Sequence, residues 1–252
     1  ATATTTAATA TAPAGERKSR SAGEDMTPGT APAPMPVMPE AYELARLFGQ
    51  MSGPALEQAY LAEMIGHHEM AVMMAQVELE KGQRPAVKAL ASRIISAQRQ
   101  EIDQMTTWLD QWYGMTPDQA MAAAPADVQA LVGQMETMMG EHMMTPLEQA
   151  APGAQTDIVF LQHMIPHHTM AIIETGPALD GFIHRELIRT GRHIIVSQSA
   201  EVVLMRHWLR AWGDDVPMEP GVPMQPGMSS PATTRSEAST RSPEHALVDA
   251  LS

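Results

Sequence analysis

The sequence predicts an all-α fold, an up-down four-helix bundle built from two copies of one helical hairpin. Three observations predict it: a repeat spaced by 100 residues, stripes that step by three and four, and glycines just past the stripe ends. Leu61, Met64, Ile65, His67, His68, Met70 and Ala71 recur as Leu161, Met164, Ile165, His167, His168, Met170 and Ala171. A second block, Ile94, Ile95, Gln98, Glu101, Met105, Trp108, Leu109 and Trp112, recurs as Ile194, Ile195, Gln198, Glu201, Met205, Trp208, Leu209 and Trp212. All four tryptophans fall in this pattern.

Residues 1–40 are Ala/Thr-rich and then Pro-spaced, and residues 214–252 begin Pro-spaced and end Ser/Thr/Glu-rich. Neither stretch carries enough apolar surface to offset its ordering entropy, so a disordered leader and a disordered tail are expected. A chain that opens on alanine beside such a leader reads as exported and cleaved, periplasmic or extracellular. The first repeat takes residues 41–114. Its leading helix carries Tyr60, Glu63, His67, Met70 and Met74 on one stripe, and its second carries Ile94, Gln98, Glu101, Met105, Trp108 and Trp112. Gly114 is placed to end that second helix. Residues 115–150 form a Met-rich helical connector with two helix-start signals: Thr116-Pro117, and Thr145-Pro146-Leu147-Glu148, read as a capping box. Between them Met135, Met138, Met139, His142 and Met143 are expected on one helical stripe. The second repeat takes residues 151–213, with Phe160, His163, His167, Met170 and Glu174 on its first stripe and Gly213 past its last. Gly176-Pro177 should end or kink its first helix sooner than in repeat one.

Composition then limits the chemistry. The 252 residues carry a net charge of −13, which disfavours nucleic acid and favours cations. Without cysteine there is no disulfide, thiolate zinc site or thiol nucleophile. No apolar run reaches the roughly 20 residues that span a bilayer. Methionine is abundant, 22 residues against three Phe, four Trp and three Tyr.

Neighbouring side chains on a helix point about 100° apart. His67 and His68 must therefore serve different surfaces, the first in line with Glu63, Met70 and Met74, the second with Met64. His163, His167 and Met170 share a face at i, i+4 and i+7. Imidazole is a borderline donor and thioether a soft one that selects Cu(I), so His with Met and without Cys points to copper, Cu(I) ahead of Cu(II). The candidate ligands are His67, His68, Met70, Met74, Met138, Met139, His142, Met143, His163, His167, His168 and Met170. Since a ligating imidazole must be neutral, capture should weaken as pH falls through about 6.5.

Methionine also fills cores, and Met64, Met105 and Met205 read first as core. Met26, Met35, Met38, Met218, Met224 and Met228 lie where no core is expected, as weak ion-capture arms or as nothing functional. Gln98, Glu101, Gln198 and Glu201 interrupt apolar stripes. They either meet the N–H of a ligating histidine or reach water.

Enzyme motifs fail on spacing. His68-Glu69-Met70-Ala71-Val72 lacks the closing histidine of a zinc protease, and the helical region has no Glu-x-x-His of a di-iron bundle. An enzyme is therefore the weaker reading. The two alternatives are a metal oxidase and a metal-free helical module that docks a partner.

The composite motif Phe160-Leu161-x-x-Met164-Ile165-Pro166-His167-His168-x-Met170-Ala171, followed by Ile194-Ile195-x-x-Gln198-x-x-Glu201-x-x-x-Met205-x-x-Trp208-Leu209, resembles the family known as domain of unknown function three-hundred-and-five. The resemblance is doubled and covers roughly residues 50–213. It implies a ferritin-like bundle of an often exported bacterial protein, copper binding and tolerance, and His67, His68, Met70, His167, His168 and Met170 as ligands. Metal ions are the partners expected, with a second copper-handling protein as donor or acceptor. Gly66 departs from the proline at 166, and Gly176-Pro177 interrupts a helix that runs on in the family.

Overall fold

The computed structural model describes residues 36–213. The expectations for the leader before residue 36, for the tail after 213, and for Met26, Met35, Met218, Met224 and Met228 lie outside these residues. Among the described residues there is no strand. Repeat one is a hairpin of α2 (Gly53–Lys81) and α3 (Pro85–Trp108), and repeat two a hairpin of α7 (Ala154–Ala178) and α8 (Arg185–Trp212). A short helix α1 (Pro39–Phe48) precedes them, and α4 (Pro117–Ala123), α5 (Ala126–Met139) and α6 (Thr145–Gln149) form the connector. No described helix is long and apolar enough to cross a membrane.

The local signals act where the sequence puts them. Gly114 and Gly213 adopt φ of 64° and 85°, the left-handed conformation that ends α3 and α8 and that residues with a Cβ avoid. α7 ends at Ala178, the counterpart of position 78, whereas α2 runs to Lys81, as Gly176-Pro177 predicts.

α2 and α7 lie side by side at the centre, with α3 packed on α2 and α8 on α7; α1 lies along α7, and α4 against α2. The contacts Tyr60 with Thr175 and His67 with His167 make α2 and α7 antiparallel. The repeats are latched to one another by buried carboxylates. Glu57 on α2 accepts the backbone N–H groups of Ile183 and His184 at 2.7 and 2.8 Å, at the start of α8. Asp157 on α7 accepts those of Gln83 and Arg84 at 2.9 and 3.1 Å, at the start of α3. Each carboxylate satisfies orphan donors where the helix dipole favours negative charge. Tyr113 and His184 also bond Glu57, and the Arg84 guanidinium bonds Asp157 at 2.9 Å.

Three expectations need correction. Met38 is not a tail residue: it is 2% exposed and packs in the core beside α1, whose apolar stripe Ala41, Leu44 and Phe48 is buried. The capping box lies at Thr116, with Gln119 as partner, and not at Thr145. The chain is already helical before Thr145, so its hydroxyl bonds back to the Gly140 carbonyl. The connector stripe also breaks. A π-turn at Gly140–Met144 adds a residue to the helical turn, so Met135, Met139 and Met143 face inward and His142 is exposed.

Candidate metal centre

The α2–α7 contact brings the four paired histidines together. His67 and His167 meet with ring centroids 3.9 Å apart and planes tilted by 42°. His68 and His168 each stand 6.2 Å from their chain neighbour's ring. All four are buried, none more than 2% exposed. As the 100° offset requires, His67 and His167 look into the helix contact while His68 and His168 turn to the outer helices.

Their hydrogen bonding is incomplete. His68 Nε2 bonds Glu101 at 2.9 Å and His168 Nε2 bonds Glu201 at 2.8 Å. A carboxylate only accepts, so each Nε2 carries a proton, and in the neutral ring each Nδ1 keeps a lone pair. Those two Nδ1 atoms have no partner. Neither ring nitrogen of His67 or His167 has one either; the His167 main chain comes near the His67 ring but outside hydrogen-bond geometry. An unpaired buried polar atom costs about 1–3 kcal/mol, and six here share one small volume. Gln98 and Gln198, one turn from the two glutamates, are 2% exposed with both amide atoms unpartnered.

Burial holds the His67 and His167 rings well below the usual imidazole range, and neighbouring histidines push the same way. Both are therefore neutral and competent as donors, and proton competition moves to lower pH than the ordinary 6.5. Among the described residues, no three His, Asp or Glu side chains already converge as a metal cage. Imidazole lone pairs lie in the ring plane, so tilted, face-to-face rings bind a common ion only after turning.

The remaining candidates divide. Met74, Met143 and Met170 are fully buried, and Met139 nearly so; Met70 and Met138 are partly covered against the core. His163 is 1% exposed, and its Nδ1 bonds the Met143 carbonyl at 3.0 Å, which docks the connector onto α7. His142 is exposed and stands apart from this core.

The latch pair Glu57 and Asp157 escapes a repeat defined by identical residues, and the signal for it is two carboxylates of different type one repeat apart. Glu174 meets Glu63 across the two helices, which neither stripe signals. Burial pushes the Glu63 carboxyl up to about 8, and burial and Glu63 together hold Glu174 well above its ordinary range.

CopM in its Cu(I)-bound form is 30% identical, with a TM-score of 0.50, covering 62% of this chain and 96% of that one. A DUF305 fragment from Deinococcus radiodurans is 30% identical, with a TM-score of 0.52, covering 64% and 99%. A DUF305 protein of Streptomyces coelicolor classed as secreted, 22% identical with a TM-score of 0.55 over 65% and 97%, shares the fold. An uncharacterized protein of Acanthamoeba polyphaga mimivirus is 38% identical over 55 residues, 22% of this chain and only 36% of that protein's length. The family model described as domain of unknown function (DUF305) matches residues 4–105 and again 79–209, and the chain belongs to that family.

Proposed function

We propose that this protein binds copper, Cu(I) in preference to Cu(II), and sequesters it or hands it to another copper-handling protein. The observation that carries the reading is the histidine cluster: four buried rings with six unpartnered nitrogens where α2 crosses α7. Such groups are costly without a ligand, and neutral imidazole suits a borderline or soft ion. Likeness to CopM, which has been solved with Cu(I), supports the same reading. Glu101 and Glu201 act as positioning residues, since a carboxylate on the far nitrogen fixes the tautomer and raises the basicity of the near one. Met170 and Met74, buried on the same two helices, are the proposed thioether donors. Ligands that are not thiols suit an oxidising compartment, and we place the work of the protein outside the cytoplasm on that ground.

The test is a competition titration with a Cu(I) chelator on the full chain and on a variant with His67, His68, His167 and His168 replaced by alanine. Circular dichroism confirms that the variant remains helical. Tight binding by the parent and its loss in the folded variant are expected. Equal uptake by both would refute the reading, and a parent that takes no copper would favour the metal-free module.

A further inference from the structure

The α2–α7 contact is not symmetric about its histidines. One side carries Glu63 and Glu174; the repeat-equivalent positions on the other side are His163 and Met74. All four are buried, none more than 5% exposed. One end of the contact is thus lined by oxygen donors and the other by nitrogen and sulfur.

We propose that Glu63 and Glu174 form a second cation site, separate from the histidine cluster, that takes a hard divalent ion of the Mn(II) class. The two carboxyl groups approach from facing helices next to the Tyr60–Thr175 contact, close enough to act on one another but with no hydrogen bond formed between them. Glu63 Oε2 and both oxygens of Glu174 have no partner. Beside them Tyr60 Oη and Thr175 Oγ1 bond each other at 2.9 Å and close the end away from the histidines with hydroxyl groups.

Two facing carboxylates cannot both stay ionised in a buried site without a counter-charge. A divalent ion supplies two positive charges, balances the pair and occupies its free lone pairs. Carboxylate oxygens with neighbouring hydroxyls suit Mg, Ca or Mn better than a soft ion. Glu63 is the shallower of the two, and the exposed Glu136 reaches over Gly66, its carboxylate oxygen 3.6 Å from where a Cβ would stand. Position 166 carries proline instead.

The inference does not rest on the copper reading, and its test keeps the two apart. The copper-free full chain is titrated with Mn(II) at about 0.15 M ionic strength, where weak surface binding is screened, and followed by electron paramagnetic resonance. The variants are Glu63→Gln and Glu174→Met; the second installs the residue that repeat one carries at the equivalent position, Met74. The parent is expected to bind one Mn(II) per chain and to melt at higher temperature with it. Each variant should lose at least about tenfold in Mn(II) affinity while keeping its Cu(I) uptake. No Mn(II) binding by the folded parent, unchanged binding in both variants, or a parallel loss of Cu(I) would overturn the proposal.

Discussion

The two hairpins agree at their ends and at their crossing and disagree in between. Both present a carboxylate to the other repeat's outer helix, both carry the histidine pair, and both aim a glutamate at its second member. Both also close an end by stacking, His184 on Trp112 and Arg84 on Trp212, each at 3.8 Å. Three differences sit one turn or more from the crossing, Glu63 against His163, Met74 against Glu174 and Glu78 against Ala178, and a fourth, Gly66 against Pro166, lies beside it. Positions that couple the two halves must satisfy both and so stay paired. A position facing only one partner in an antiparallel contact can change as long as that partner changes with it. Symmetry thus marks what holds the molecule and its histidine centre, and asymmetry marks where the two ends have taken separate chemistry.

The largest effect expected comes from breaking what the halves share. Glu57→Ala and Asp157→Ala each remove a buried carboxylate that several donors of the other repeat share, and each should cost about 3–5 kcal/mol in denaturant unfolding. A loss confined to one of them would show that only one latch holds the two hairpins together.

Next comes the asymmetric end. A carboxyl whose folded pKa is raised contributes fully below its unfolded value of about 4.5 and loses stability as pH rises through that value towards the folded one. For Glu63 that window runs up to about 8. Glu174→Met should therefore stabilise the metal-free protein by roughly 1–4 kcal/mol at pH 8 and by little at pH 4.5. A gain independent of pH would detach it from the carboxyl pair. The histidines act in the opposite direction. With His67 and His167 held below about 6.5, the unfolded chain takes up protons first, so stability should fall as pH drops beneath that value. Unfolding midpoints at a series of pH values should show that fall blunted when both rings are replaced by phenylalanine.

A smaller effect tests the exchange of bulk between repeats. Repeat one places Glu78 beside Gly82 where repeat two has Ala178 and Phe182. A Cβ on Gly82 would stand 2.0 Å from Glu78 Oε1 and 2.6 Å from the Glu78 carbonyl oxygen. Gly82→Ala should then cost about 1–3 kcal/mol by overpacking. The smallest effect is expected at the exposed His142, where alanine should change stability by no more than about 0.5 kcal/mol.

Much of this architecture is legible in the sequence because helix periodicity and a repeat of identical residues are local or nearly local signals. The histidine offset and the Gly114 and Gly213 ends follow from spacing, whereas for Glu101 and Glu201 spacing leaves a ligating histidine and water equally open, and the packing decides for His68 and His168. The rest depends on the partner surface. α1 is a short apolar helix whose burial of Met38 and Phe48 requires α5 and α7 to be in place. The outward turn of His142 follows from a π-turn, which a 3.6-residue stripe does not anticipate. The meeting of Glu63 with Glu174 comes from two helices brought side by side, and neither stripe alone reveals it.

The most direct test of the central claim is X-ray absorption at the copper edge on the full chain loaded with one equivalent of Cu(I). A histidine centre at the α2–α7 crossing predicts nitrogen scatterers that disappear in the folded quadruple His→Ala variant. A sulfur-only shell, the same in parent and variant, would contradict it and move the ion to the methionines.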